Sequence, residues 1–229
     1  MNTYPVIVTG SLDEPLGRWR WLIKWLLALP HFFVLLFLWI AVAFLTFCAF
    51  WVILFTGRYP RGMFDFNVGV MRWSWRVAYY ACGVIGTDKY PPFTLADVPD
   101  YPAHFDVEYP EKLRRGLPLI GWWLAGIPQY AISGVLGGGL AFGWAGSGHT
   151  FHAPAVVGIL VLVAGVLLLF KDEYPRGLYD LIMGFNRWTL RVTAYGMLMV
   201  REYPPFRLDQ GGDESTAMPA PAAVAPPPA

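Results

Sequence analysis

The strongest constraint on this chain is a block of sequence that occurs twice. The block Tyr59–Tyr80 recurs as Tyr174–Tyr195, and half of the aligned positions carry the same residue. Each copy follows a long apolar run and precedes the motif Tyr-Pro-Pro-Phe, at 90–93 and at 203–206. Self-similarity over this length marks one structural unit written twice. We therefore predict two copies of one module.

The composition places both modules in a membrane. Hydrophobic residues make up 56% of the chain and charged residues only 14%, which is far from an ordinary soluble domain. The formal net charge of +1, without any run of basic residues, argues against nucleic acid as a partner. We predict a first membrane repeat over 1–98, a second over 99–208, and a disordered tail rich in proline and alanine over 209–229.

One long apolar run is the clearest candidate for a transmembrane helix. His31–Phe55 contains 25 residues without a charge, more than the roughly 20 needed to cross the hydrocarbon core. The second repeat has a shorter run, Ala155–Phe170, after a glycine-rich insertion near 134–154. A broken helix or a hairpin is therefore expected there. Discontinuous helices form binding sites in transporters built from repeats, so the insertion points to a site.

Shorter elements precede the apolar run in each repeat. Arg18–Leu29 alternates basic residues with tryptophan, which is typical of a helix at the membrane interface, and Glu111–Ile127 is its counterpart. Before them lie Tyr4–Thr9 and Tyr101–Glu108, which are predicted to be brief strands or extended arms. The predicted fold class is an all-α integral membrane protein with short arms before each half.

The repeated block predicts an amphipathic helix with a charged stripe. Asp65, Arg72 and Arg76 fall within about 40° of one another at 100° per residue, and Gly69 lies beside them. The second copy repeats the stripe with Asp180, Gly184, Arg187 and Arg191. Because the stripe is kept while flanking residues differ, it is the most specific internal signal in the sequence.

Two placements of this helix remain open. Asp or Arg at the centre of a membrane helix costs roughly 2.5 to 3.5 kcal/mol each, so the helix alone would lie at the interface. The Lys and Arg distribution favours two crossings per repeat, with nine on one side against four, whereas one crossing gives nine against eight. We favour four membrane helices, the second of each repeat tilted and its stripe turned to a partner helix or a wet cleft. Both placements put the two termini on one side, which we expect to be cytoplasmic.

The stripe has three interpretations. Its aspartates and arginines can satisfy one another inside the protein, the arginines can bind a lipid phosphate or another anion, or the stripe can line a transport pathway. The candidate contact residues are Arg72, Arg76, Arg187, Arg191, Asp65 and Asp180.

A second motif, Tyr-Pro-Arg-Gly, opens the amphipathic helix in both copies. Proline and glycine suit a tight reversal at the membrane surface, tyrosine suits the headgroup region, and arginine can reach toward phosphates. This interfacial reversal motif comprises Tyr59, Pro60, Arg61, Gly62, Tyr174, Pro175, Arg176 and Gly177.

The sequence offers little for catalysis or metal binding. His149 and His152 stand in the glycine-rich insertion, but two imidazoles alone do not make a metal site. Cys48 and Cys82 lack metal-binding spacing and are expected to be buried, unpaired thiols. No nucleophile elbow or Walker loop is present. We predict no enzyme activity, no cofactor and no metal.

Several motifs together resemble a known family. Tyr-Pro-Arg-Gly-(Leu/Met)-(Phe/Tyr)-Asp, Arg-Trp-x-x-Arg-Val, Tyr-Pro-Pro-Phe and Trp-Leu-Leu-Ala-Leu-Pro-His-Phe resemble the bacterial membrane-protein family labelled domain of unknown function 4389. The resemblance extends from Tyr4 to Leu208 in two copies, and the second copy departs from it with Gln129 in place of His31 and with its insertion. It implies an integral membrane protein and supplies no activity.

These observations predict a non-catalytic, multi-pass component of the cell membrane. Membrane lipids are its expected partners, together with other membrane proteins or further copies of the chain. The alternative is a small transporter or channel with a cleft between the two repeats.

Overall fold

The structure is a computed structural model that describes residues 4–116, 118, 126–134, 136, 140–143, 150–153 and 156–209. Within these ranges the chain is mostly helical, as predicted, and contains six α-helices. The predicted tail beyond residue 209, His149, and residues 117 and 119–125 of the second interfacial helix lie outside the described residues.

The first repeat follows the predicted order of elements. It comprises β1 (Val6–Gly10), α1 (Trp21–Leu27), α2 (Leu29–Thr56) and α3 (Arg61–Ala81). Pro30 stands in the first turn of α2, where a helix needs no N–H from it. α2 ends at Gly57, whose φ of 70° is the left-handed conformation that closes many helices. Pro60 then precedes α3 with an extended backbone.

The second repeat is interrupted where the sequence is rich in glycine. It comprises β2 (Ala103–Val107), α4 (Ile127–Ser133), β3 (Leu140–Gly143), β4 (Thr150–Ala153), α5 (Val156–Lys171) and α6 (Arg176–Gly196). β3 and β4 pair in an antiparallel two-stranded sheet. Two helices separated by this sheet therefore stand where the first repeat has the continuous α2.

The two extended arms pair with each other. β1 and β2 form an antiparallel ribbon in which Val8 lies opposite Phe105. Both of these side chains are buried, whereas Ile7 and Asp106 on the other face of the ribbon are exposed. The ribbon thus joins the starts of the two repeats. The two arms predicted as brief strands or extended segments are strands, and the all-α fold class is corrected to helices with a paired two-stranded ribbon.

α2 buries one narrow stripe and exposes the rest of its surface. Its buried residues are His31, Leu35, Val42, Ala49 and Ile53. The exposed large side chains are all apolar and include Phe33, Phe37, Ile40, Phe44, Phe47, Trp51 and Phe55. Among the described helices, α2 is the one that is long and apolar enough to cross a membrane. α5 is shorter, and it also exposes apolar side chains.

α3 packs along α2 in the opposite direction. Trp39 Nε1 donates to Ser74 Oγ at 3.0 Å, and the Asn67 amide reaches Thr46 Oγ1 at 3.4 Å. The residue number rises along α2 while that of its partner falls along α3, so the two helices are antiparallel. Because these polar side chains hydrogen-bond each other across the helix interface, they need no partner outside the helix pair.

The two repeats share one core. Tyr79 and Tyr179 lie 2.8 Å apart through their hydroxyl oxygens, and the Tyr174 hydroxyl donates to the Val84 carbonyl at 2.8 Å. The Asn186 amide donates to the Gly83 carbonyl at 2.9 Å. Each of these bonds links residues about a hundred positions apart, so neither repeat completes its interior alone.

One glycine of each stripe allows another segment to cross the helix closely. A Cβ at Gly69 would lie 2.9 Å from Leu95 Cβ, and a Cβ at Gly184 would lie 2.7 Å from Leu208 Cβ. Leu95 and Leu208 each follow a Tyr-Pro-Pro-Phe motif at the same spacing. The repeated glycine is therefore explained by this crossing.

This crossing predicts a stability difference between two glycines of α3. Gly69→Ala should lower the free energy of unfolding by about 1 to 3 kcal/mol, because the new methyl group overpacks against Leu95. Gly62→Ala is the matched control, since nothing lies within 4 Å of its added Cβ, and it should leave stability unchanged or raise it by up to about 1 kcal/mol. Denaturant titration in detergent micelles measures both, and equal effects of the two changes would contradict the explanation.

Candidate functional site

Arg72 and Arg187 tie the amphipathic helices to the ribbon. Arg72 Nε donates to the Phe105 carbonyl at 2.9 Å, and Arg187 Nε donates to the Val8 carbonyl at 3.1 Å. Because Val8 and Phe105 lie opposite each other in the ribbon, the two bonds are equivalent in the two repeats. Arg72 also pairs with the exposed carboxylate of Asp106 at 2.9 Å.

Arg76 and Arg191 hold the segment that follows each Tyr-Pro-Pro-Phe motif. The acceptors are the carbonyl oxygens of Thr94 and Ala96 for Arg76, and those of Arg207 and Asp209 for Arg191. These acceptors stand first and third after the motif in both repeats. The two arginines therefore make the same pair of backbone contacts in each half.

Both of these guanidinium groups are buried. Arg76 is 1% exposed and Arg191 is 0% exposed. Among the described residues, no carboxylate oxygen lies within ion-pair distance of either one, and neither Nε has an acceptor. The Tyr4 ring lies 5.9 Å from the Arg191 guanidinium carbon. A buried cation must be compensated by hydrogen bonds, so the carbonyl oxygens and, for Arg191, an aromatic face supply the compensation.

The aspartates of the stripe lie apart from these contacts. Asp65 and Asp180 are both exposed, while the arginines point into the protein. Asp180 lines a cavity of about 350 Å³ with Arg176, Tyr179 and the segment 10–12. The contacts of the stripe within the protein therefore use backbone carbonyl oxygens as the principal acceptors. Pairing with the aspartates of the stripe was one of the three interpretations of this helix.

The reversal motif is only partly at the surface. Tyr59 and Tyr174 are buried, and the Tyr59 hydroxyl accepts a hydrogen bond from Asn67 at 2.9 Å. Arg61 lies over the Tyr109 ring at 4.2 Å, and Arg176 pairs with Glu14 at 3.5 Å. Gly62 and Gly177 have open space around them. The tyrosines thus belong to the core, and the arginines lie at its rim.

Two polar residues with different chemistry, His31 and Gln129, occupy equivalent places in the two repeats. Trp73 Nε1 donates to His31 Nδ1 at 3.1 Å, and Trp188 Nε1 donates to Gln129 Oε1 at 2.7 Å. Gln129 Nε2 donates in turn to the Pro204 carbonyl at 2.9 Å. His31 Nε2 is buried and has no partner among the described residues. His31 instead stacks on Phe93, with ring centroids 3.9 Å apart.

Some of these contacts were missed by sequence reasoning. The helical wheel aligned the arginines, but it carried no information on the carbonyl acceptors beyond the Tyr-Pro-Pro-Phe motif. The tryptophans at 73 and 188 stand at the same place in both copies, and aligning the repeats could have marked them as partners of the residue at 31 or 129.

The described residues contain no cluster of three or more histidine, cysteine, aspartate or glutamate side chains that could hold a metal ion. Cys48 and Cys82 are free thiols, as predicted, but the expected burial is wrong, because Cys48 is half-buried and Cys82 is exposed. His149, one of the two histidines considered for a metal, lies outside the described residues.

The buried arginines predict a large loss of stability on neutral substitution. Arg76→Gln should lower the free energy of unfolding by about 2 to 4 kcal/mol, because it removes charge-assisted bonds and leaves carbonyl oxygens without donors. Arg201→Gln is the control, since its exposed pair with Glu202 should contribute less than about 1 kcal/mol. Denaturant titration compares the two, and a loss below about 1 kcal/mol for Arg76→Gln would contradict the assigned role.

The difference between the repeats predicts that glutamine is accepted at position 31. His31→Gln should retain the wild-type free energy of unfolding within about 1 kcal/mol, because Gln129 makes the equivalent tryptophan bond in the other half. His31→Ala should lose about 1 to 3 kcal/mol by leaving the Trp73 N–H without its acceptor. Equal losses for the two variants would show that the ring stacking, and not the hydrogen bond, is the important contact.

Comparison with known proteins matches part of the chain to the model of one protein family. Searches of the curated proteins and of the solved structures find no match. Residues 18–94 match the model of the family described as Domain of unknown function (DUF4389). The matched residues contain α1, α2, α3 and the first Tyr-Pro-Pro-Phe motif, so the first repeat is similar to that family.

Proposed function

We propose that the chain is a non-catalytic integral membrane protein that contacts lipid through its apolar helices and belongs to a larger membrane assembly. The multi-pass topology and the cytoplasmic placement of both termini stay part of this proposal. It is supported by the distribution of exposed side chains over the two sides of the α2–α3 pair.

The free surface of α2 suits a lipid phase. Phe33, Phe37, Phe44 and Phe55 are all more than half exposed. Large contiguous apolar surfaces of this kind are rare on soluble proteins and mark contact with a membrane or with a partner. α1 continues the surface with Trp25 and other exposed apolar side chains, as expected where a helix meets the headgroups.

The opposite side of the α2–α3 pair suits water or protein. The ribbon lies on α3 away from α2, and its Asp106 carboxylate is 63% exposed while it pairs with Arg72. Arg72 stands two residues from Ser74, which bonds to Trp39 in α2. Trp39 lies ten residues into α2, or about 15 Å along its axis. If α2 stands upright in the bilayer, Asp106 lies at the depth of the hydrocarbon core.

An exposed carboxylate does not face lipid at that depth. The cost of a charge at the membrane centre is several kcal/mol, and side chains of this kind face a protein partner or a water-filled space. Glu108 is also exposed on the ribbon side. The protein is therefore two-sided, with apolar helices toward lipid and a charged ribbon toward a protein partner or a water-filled space. This arrangement is expected of one component in a membrane assembly.

A transporter is the second candidate. The cavity beside Asp180 lies where the end of β1 meets the start of α6, so it is bounded by both repeats. Its lining combines a carboxylate, a guanidinium and a phenol, which are groups that can bind a polar solute. If this cavity lies on a transport path, Asp180→Asn should abolish solute flux in proteoliposomes. The same variant should leave the association with partner membrane proteins unchanged.

Spin labels on the two sides test the proposal. In a variant without Cys48 and Cys82, a nitroxide at Phe44→Cys should be relaxed mainly by oxygen, which partitions into lipid. A nitroxide at Glu108→Cys should be relaxed mainly by a water-soluble nickel complex, or should be shielded by a partner. Preferential oxygen relaxation at Glu108→Cys would contradict the two-sided arrangement, and nickel relaxation at Phe44→Cys would contradict membrane embedding.

A further inference from the structure

A cavity of about 350 Å³ lies beside α1. It is lined by Arg20, Ile23, Lys24, Leu27, Tyr80, Asp88 and Tyr90. One side therefore carries charges and the other carries aliphatic side chains. This combination suits a ligand that is itself part ionic and part apolar.

The charged side of the cavity is preorganised. Lys24 is 2% exposed, and its Nζ lies 2.7 Å from the Asp88 carboxylate and 2.7 Å from the Thr87 carbonyl oxygen. The other Asp88 oxygen accepts the Gly17 N–H at 2.8 Å. Burial lowers the pKa of Lys24, and the bond to Asp88 opposes that shift. Asp88 is thus committed to contacts within the protein.

Arg20 is left with donors that the protein does not use. Its guanidinium is 70% exposed and touches Asp88 only at 3.5 Å. Arg20 and Lys24 together carry two positive charges against the one negative charge of Asp88, so the cavity has a formal excess of +1. A group with one negative charge would neutralise that excess, and a guanidinium fork matches the oxygens of a phosphodiester.

The aliphatic side of the cavity opens toward the expected membrane surface. Ile23 is 53% exposed and Leu27 is 47% exposed. On the same short helix Trp25 is 55% exposed, and Trp19 just before it is 66% exposed. Exposed tryptophans at the start of an apolar helix indicate the headgroup level of a bilayer. A phosphodiester at Arg20 would then have its acyl chains beside Ile23 and Leu27.

We propose that this cavity binds the headgroup of an anionic phospholipid, with the phosphodiester at Arg20 and the first acyl carbons against Ile23 and Leu27. The inference rests on the proposed membrane function and adds a defined lipid site to it. A zwitterionic headgroup brings its own positive charge and leaves the excess of +1 in place. The site therefore discriminates in favour of lipids with a net charge of −1, such as phosphatidylglycerol.

Native mass spectrometry of the full chain tests this inference. The protein is released from nanodiscs that contain equal amounts of phosphatidylglycerol and phosphatidylcholine, and the lipid that stays bound is identified. Wild type should retain one phosphatidylglycerol in preference to phosphatidylcholine. Arg20→Gln should weaken that retention about tenfold, because it removes a charge-assisted contact. Arg20 is exposed, so the variant should keep the wild-type melting temperature.

Arg58→Gln is the matched control, because it removes one exposed positive charge at the other end of α2. It should retain phosphatidylglycerol as wild type does. Equal retention by Arg20→Gln and wild type would overturn the inference, and so would equal losses in both variants or no preference between the lipids. Displacement of the lipid by millimolar inorganic phosphate would show a site for free phosphate and would also overturn it. A protein that does not enter the nanodiscs would contradict the proposed membrane function itself.

Discussion

The structure depends on hydrogen bonds between buried arginines and backbone carbonyl oxygens. The segments after the two Tyr-Pro-Pro-Phe motifs have no regular secondary structure, so their carbonyl oxygens need donors from elsewhere. The guanidinium groups of Arg76 and Arg191 need acceptors because they are buried. The guanidinium groups supply the donors, and the carbonyl oxygens supply the acceptors. The glycines at 69 and 184 complete the arrangement, since only there can the segment approach the helix closely enough to be held.

The ribbon ties the two halves of the chain together. An isolated pair of short strands is marginally stable in water, and a single strand with its edges free has no ladder at all. β1 and β2 come from different repeats, and each receives an arginine bond from a different amphipathic helix. The partner strand and the second helix that holds the ribbon therefore come from different halves of the chain.

The sequence predicted what depends on local pattern. Helical periodicity placed the arginines on one stripe, and the length and apolarity of His31–Phe55 predicted the long helix. The acceptors of those arginines were not predictable, because a backbone carbonyl has no signature in the side-chain sequence. The pairing of the two arms was missed for a related reason: strand partners nearly a hundred residues apart leave no mark on either strand alone. The alternating burial of the arms became clear only once they were paired.

The same bonds weigh against a role for the buried arginines in binding a mobile anion. A solute that approached Arg76 would have to displace the carbonyl oxygens of Thr94 and Ala96, and each released oxygen would lose a charge-assisted bond in a dry site. Binding of an anion at Arg20 has no such cost, because the Arg20 side chain is 70% exposed. Burial therefore divides the basic residues into two kinds. Those of the stripe hold the chain together, and the exposed Arg20, just before α1, has donors free for a ligand.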